Sequence, residues 1–163
     1  MNLDKLLVTT GDPIPESSKS EVIDLSDPNN ICDPLPDYPL GMASGFGGLV
    51  NGNTPLLCSG FSESQIENYV HEECFIFSEG EWKLIGKVNS GRWYGGSLVL
   101  DNSVLWLTGG TNFIAPFKST EYVMADGTIT LGPNMPEPID EHCSVNLDQG
   151  RSMLITGIYL PNL

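Results

Sequence analysis

Four short segments of this chain end alike, and their spacing restricts the fold more than any other feature. Leu7-Val8-Thr9-Thr10-Gly11, Leu56-Leu57-Cys58-Ser59-Gly60, Leu105-Trp106-Leu107-Thr108-Gly109 and Met153-Leu154-Ile155-Thr156-Gly157 each run through apolar or thiol residues to a hydroxyl and then a glycine. The glycines stand 49, 49 and 48 residues apart. A period near 50 marks a repeat architecture in which each unit packs on its neighbours. Strands repeat in such a chain, whereas the residues that meet a ligand sit in the loops that vary.

Between these segments the same order of short elements recurs. A strand opens near a glutamate: Ser20-Glu21-Val22-Ile23-Asp24-Leu25, Glu72-Glu73-Cys74-Phe75-Ile76-Phe77 and Thr120-Glu121-Tyr122-Val123-Met124. A tight turn follows, and Asp126-Gly127 is a strong hairpin signal, because type I′ turns need positive φ at both central residues. Next comes a strand bordered by proline or glycine: Cys32–Pro36, Trp82–Gly86 and Ile129–Pro133. Proline lacks the N–H for a ladder bond, which places these strands at a sheet edge. One more strand precedes each glycine segment, at 47–50, 95–100 and 143–147. No window carries a helical period of helix length, and Ser62 to Asn68 accommodates one turn at most.

Four short strands at this period resemble the kelch repeat, the blade of a β-propeller. The resemblance spans the whole chain. The Gly-Gly pair that closes the family's second strand is complete at Gly109-Gly110, while Gly11-Asp12, Gly60-Phe61 and Gly157-Ile158 are read as keeping its first glycine. The family's tryptophan opening the fourth strand stands at Trp82, with Cys32 and Ile129 in its place elsewhere. A Leu-Pro-x-Met-Pro-like phrase is visible at Leu35–Pro39 and Pro133–Pro136, and the arginine before an inner strand at Arg92. The implied fold is all-β, with kelch-type blades of four antiparallel strands.

With strands lettered a to d from the axis outward, the chain reads bcd, abcd, abcd, ab, thirteen strands in all. The expected units are an incomplete blade at 1–40, blades at 41–89 and 90–136, and an incomplete blade at 137–163. This is a partial propeller of about three blades, too few to close a ring. Three arrangements answer that: a homo-oligomer, a longer propeller whose remainder is missing, or an open arc. Exposed blade faces and strand edges disfavour the arc.

Charge narrows the partners. The 163 residues carry 21 Asp and Glu against 7 Lys and Arg, net −14. Nucleic acid and anionic membranes are bound through basic groups, which argues against both. No apolar run approaches the roughly 18 residues of a membrane span. The start, Met1–Lys5, lacks an apolar signal segment, which alone reads as cytoplasmic.

Cys58 and Cys74 fall on strands b and c of one blade. Their register suits a cross-strand disulfide to within one or two residues, with two buried thiols as the alternative. Cys32 and Cys143 lie on different blades and are not expected to meet within one chain. The phrases Asn30–Pro39, Gly47–Gly52 and Glu141-His142-Cys143 look like those of secreted arthropod kelch-repeat proteins. That resemblance implies an extracellular location, where disulfides persist; no Asn-x-Ser/Thr sequon adds to it.

Catalytic signals are weak. His71 with Cys74, and His142 with Cys143, supply too few donors for zinc. Asp24, Asp27, Asn29 and Asn30 suit an Asx-stabilised turn better than a calcium loop. No phosphate loop, nucleophile elbow or copper-ligand set of the galactose-oxidase type is recognisable, so no cofactor and no enzymatic activity are expected. The reading is a protein-binding scaffold presenting b–c loops (12–19, 61–71, 111–119) and d–a loops (37–45, 87–93, 134–141). Arg92, Trp93, Tyr94, Asn112, Phe113 and Phe117 are the expected contact residues, since arginine and aromatics anchor interfaces. The competing role for Phe113 and Phe117 is to tuck under their own loop, and for Arg92 to bond backbone carbonyls. The alternative functions are a carbohydrate-binding or galactose-oxidase-like propeller and a structural matrix component.

Overall fold

The structure is a computed structural model that describes residues 5–11, 17–27, 33–63, 68–147, 151–155 and 157. Among them lie thirteen strands and no helix, in the order that the repeat predicts. Strands β1 (Lys5–Gly11), β2 (Ser17–Asp24) and β3 (Asp33–Leu35) form one sheet in that order. β4 (Phe46–Val50), β5 (Thr54–Glu63), β6 (Asn68–Ser78) and β7 (Glu81–Lys87) form the second. β8 (Gly96–Leu100), β9 (Val104–Thr108), β10 (Thr120–Met124) and β11 (Ile129–Leu131) form the third. β12 (Cys143–Leu147) pairs with β13 (Arg151–Ile155). Every pairing is antiparallel.

The turn chemistry explains the tight connections. Asn51-Gly52 and Glu79-Gly80 each place two residues at positive φ, as two-residue hairpin loops require. Burial explains the rest. Along β5, residues 55–60 are all buried, so this strand has apolar contacts on both faces rather than an alternating pattern. One core includes Phe46, Val50, Leu56, Ile76, Leu105, Leu107 and Val123, from the second and third sheets. A smaller one gathers Tyr38, Met42, Leu57 and Phe75. The inner strands are laced together: Ser97 Oγ accepts the Gly47 N–H and donates to Gly47 O, while Asn146 Nδ2 donates to Val99 O.

Two backbone bonds recur from sheet to sheet. The N–H groups of Gly11, Gly60 and Gly110 donate to the carbonyls of Met42, Arg92 and Ile139 at 2.8, 3.0 and 2.9 Å. Those of Tyr38, Val88 and Met135 donate to Ser18, Glu72 and Lys118. These bonds correct the alignment of the glycines. Gly11 and Gly60 match Gly110, the second glycine of the pair, and Thr10 and Ser59 match Gly109. The dihedrals give the reason. Thr10, Ser59 and Gly109 sit at φ 60°, 57° and 54°, which L-residues tolerate; Gly11 and Gly60 sit at 126° and 129°, where only glycine is at ease.

Of the segment 61–71, expected as a loop with at most one helical turn, residues 61–63 and 68–71 are strand, while residues 64–67, where the turn is expected, lie outside the described residues. β5 runs on to Glu63 and β6 starts at Asn68, with Phe61 opposite Val70 and Ser62 opposite Tyr69. Cys32, Asn29 and Asn30 lie outside the described residues.

Candidate functional site

The expected contact residues divide into a buried support and an exposed surface. Arg92 is the support: it is fully buried. Its guanidinium donates to Glu121 Oε1 (2.8 Å), to Gly109 O (3.1 Å) and to Ser119 O and Oγ (2.9 and 3.1 Å), and its Nε to Ser90 O. It also lies over the Phe117 ring, 4.6 Å from the centroid. Burial pulls its pKa down and the Glu121 carboxylate opposes that shift. Glu121 Oε2 accepts from both nitrogens of Asn89 at 2.8 Å, so both of its oxygens are engaged. A side chain so satisfied has no donor to offer a partner, and Arg92 is therefore not a contact residue. Phe117, half-buried against it, shares that structural task.

The surface is aromatic. Phe61 and Trp93 stack at 5.2 Å between centroids, Phe113 packs on both at 5.8 and 4.9 Å, and Tyr94 borders Trp93. Tyr94 is 47% exposed, Phe113 56% and the adjoining Ile114 89%. The backbone presents these rings rigidly. Trp93 and Thr111 exchange two bonds (3.0 and 2.8 Å), and Phe61 does the same with Ala43. Asn112 shapes the loop tip: its Oδ1 accepts the N–H groups of Ile114 (2.8 Å) and Ala115 (3.0 Å). A cleft of about 350 Å³ beside the patch is lined by Val70, Glu72, Asn89, Ser90, Gly91, Asn112, Phe113 and Ile114. Phe61 and Ile114 were missed by the sequence reading. The hairpin that places Phe61 has no distinctive motif, and one isoleucine in a loop carries no signal by itself.

A second concavity, about 490 Å³, opens between the residues leading into β4, β8 and β12. Ser44, Tyr94 and Glu141 line it, and each holds positive φ just before an inner strand. His142 forms part of its floor. The ring is buried, Nε2 contacts Thr108 Oγ1 at 2.8 Å, and Nδ1 has no hydrogen-bond partner among the described residues. Burial lowers its pKa, with Asp140 acting against that shift. Among the described residues no three His, Cys, Asp or Glu are gathered as metal ligands.

Cys58 and Cys74 lie directly opposite each other on β5 and β6 and form a disulfide. The same place holds Thr9 opposite Ser20 in the first sheet, with their hydroxyls 2.6 Å apart, and Thr108 opposite Thr120 in the third. Cys143 is an exposed free thiol.

No protein-family model and no curated protein matches the chain. Solved structures do. One, described as "Structure of YjhT", superposes with a TM-score of 0.76 at 11% identity, over 90% of this chain and 52% of the other. The two share a fold, and this chain spans about half the length of that structure. No helix among the described residues is long and apolar enough to cross a membrane.

Proposed function

We propose that the chain is a partial β-propeller of about three kelch-type blades, acting as a non-catalytic scaffold that holds a protein partner on the patch of Trp93, Tyr94, Phe113 and Ile114. The observation that carries this reading is an exposed aromatic surface on loops already fixed by backbone bonds. Such a surface is hydrophobic enough to drive association and loses little conformational freedom on binding. Asn112 contributes by shaping the loop rather than by contact. The kelch reading draws support from the two backbone bonds repeated at the first three sheets and from the strand order. An extracellular setting accords with the buried Cys58–Cys74 disulfide.

Selection of phage-displayed peptides on the immobilised protein tests this function. Peptides selected by the wild type should lose at least tenfold in affinity for a Phe113→Ser/Ile114→Ser variant whose thermal unfolding is unchanged. Failure of the substitutions to weaken binding overturns the patch. A specific sugar on a glycan array, lost in the same variant, replaces the protein partner with a carbohydrate. Stoichiometric copper with oxidase activity overturns the scaffold altogether.

A further inference from the structure

Among the described residues the first sheet has no inner strand of the kind that the second and third possess. β4 pairs with β5 and β8 with β9, but β1 is an edge strand, with no partner on its free side among the described residues. Between β1 and strands β4 and β5 lies a largely apolar cleft of about 540 Å³, lined by residues 5–10 on one wall and by Phe46, Leu49, Pro55 and Leu57 on the other. Leu6 and Val8 of β1 remain 48% and 45% exposed. An unpaired, apolar strand edge of this kind is a template for an added strand.

We propose that a second copy of this chain fills the slot with its β12. Three observations select that occupant. First, β12 already pairs with a strand equivalent to β1. The sequence 151–157, Arg-Ser-Met-Leu-Ile-Thr-Gly, matches 5–11, Lys-Leu-Leu-Val-Thr-Thr-Gly, in its basic start, apolar centre and Thr-Gly end. Second, the register is defined. β12 pairs Cys143 with Ile155, as β4 pairs Phe46 with Cys58 and β8 pairs Gly96 with Thr108. In each case the partner lies two residues before the matching glycine, which on β1 is Thr9. Cys143 therefore faces Thr9 of the other copy, and Leu147 faces Lys5. Third, one chain spans 52% of the solved structure it matches, so two copies supply that length. In this arrangement β1 replaces β13 on β12, and each copy both donates and receives a strand. That gives a closed, two-fold exchange in which both slots are filled and β13 is released from β12. The inference does not depend on the loop-end patch or its partner.

Light scattering of the full chain should give twice 17.7 kDa. A Thr9→Cys substitution in a Cys32→Ser background should give, on mild oxidation, a dimer that survives denaturing electrophoresis without reductant. The dimer should vanish when Cys143→Ser is added. Leu6→Cys in the same background, which the register places opposite Asn146, should crosslink at least several-fold less. A monomeric mass, equal crosslinking from the two substituted positions, or a bridge from the Thr9→Cys thiol to Cys143 of the same chain would each overturn the exchange.

Discussion

Arg92 and Glu121 occupy positions whose counterparts in the second sheet are Met42 and Phe75. The repeated backbone bonds match Arg92 with Met42, and the pairs opposite β5 and β9 match Glu121 with Phe75. One sheet fills this space with an ion pair, the other with two apolar side chains in one cluster. Each solution satisfies the groups it buries, yet the two respond differently to mutation. Removing one member of a buried ion pair strands the other, which costs about 3–5 kcal/mol. Glu121→Gln should therefore lower unfolding free energy in urea by an amount in that range, while an Arg92→Met/Glu121→Phe double substitution should recover most of it. His142 adds a pH dependence. Its pKa is depressed in the folded state, so the unfolded chain binds the proton more readily. This contribution is fully present above the ordinary value of 6.5 and is lost as pH falls from there through the folded pKa. Denaturation midpoints measured from pH 7.5 to 5 should fall less steeply for His142→Gln. The sequence marks Arg92 as special, but its burial follows from Ser119 and Glu121, which only the folded chain brings beneath it.

At the scale of the elements, strands were legible and their ends were not. Period, glycines and hairpin signals place all thirteen strands, because each obeys local rules of turn and alternation. The alignment of the glycine pair failed because Thr10 and Ser59 tolerate the left-handed backbone that Gly109 takes in the third sheet. The extension of β5 and β6 was hidden because Ser62 and Glu63 have little strand preference, and pairing alone carries them. The disulfide is an element-scale lock as well. Cys58 and Cys74 are both buried and 16 residues apart. Constraining a loop of that length in the unfolded chain contributes about 3 kcal/mol. Cys58→Ala/Cys74→Ala should lower stability by at least that amount in guanidinium denaturation, since it also removes packing around two core sulfurs.

At the scale of the whole molecule, the sheets are coupled by few but repeated links: the glycine N–H bonds, the lacing of the inner strands and the two apolar clusters. The fold repeats through these links, so it could be read from one chain, whereas the aromatic patch arises where three non-repeating segments converge and has no periodic signature. The disulfide gives this assembly an uneven mechanical character. Stretched between its termini, the oxidised chain cannot release the segment between Cys58 and Cys74, so it reaches a shorter contour length than the reduced one. The 16-residue span corresponds to about 55 Å of extended chain. Single-molecule pulling should register that increment when reductant is added, and the second sheet alone should change the way it yields.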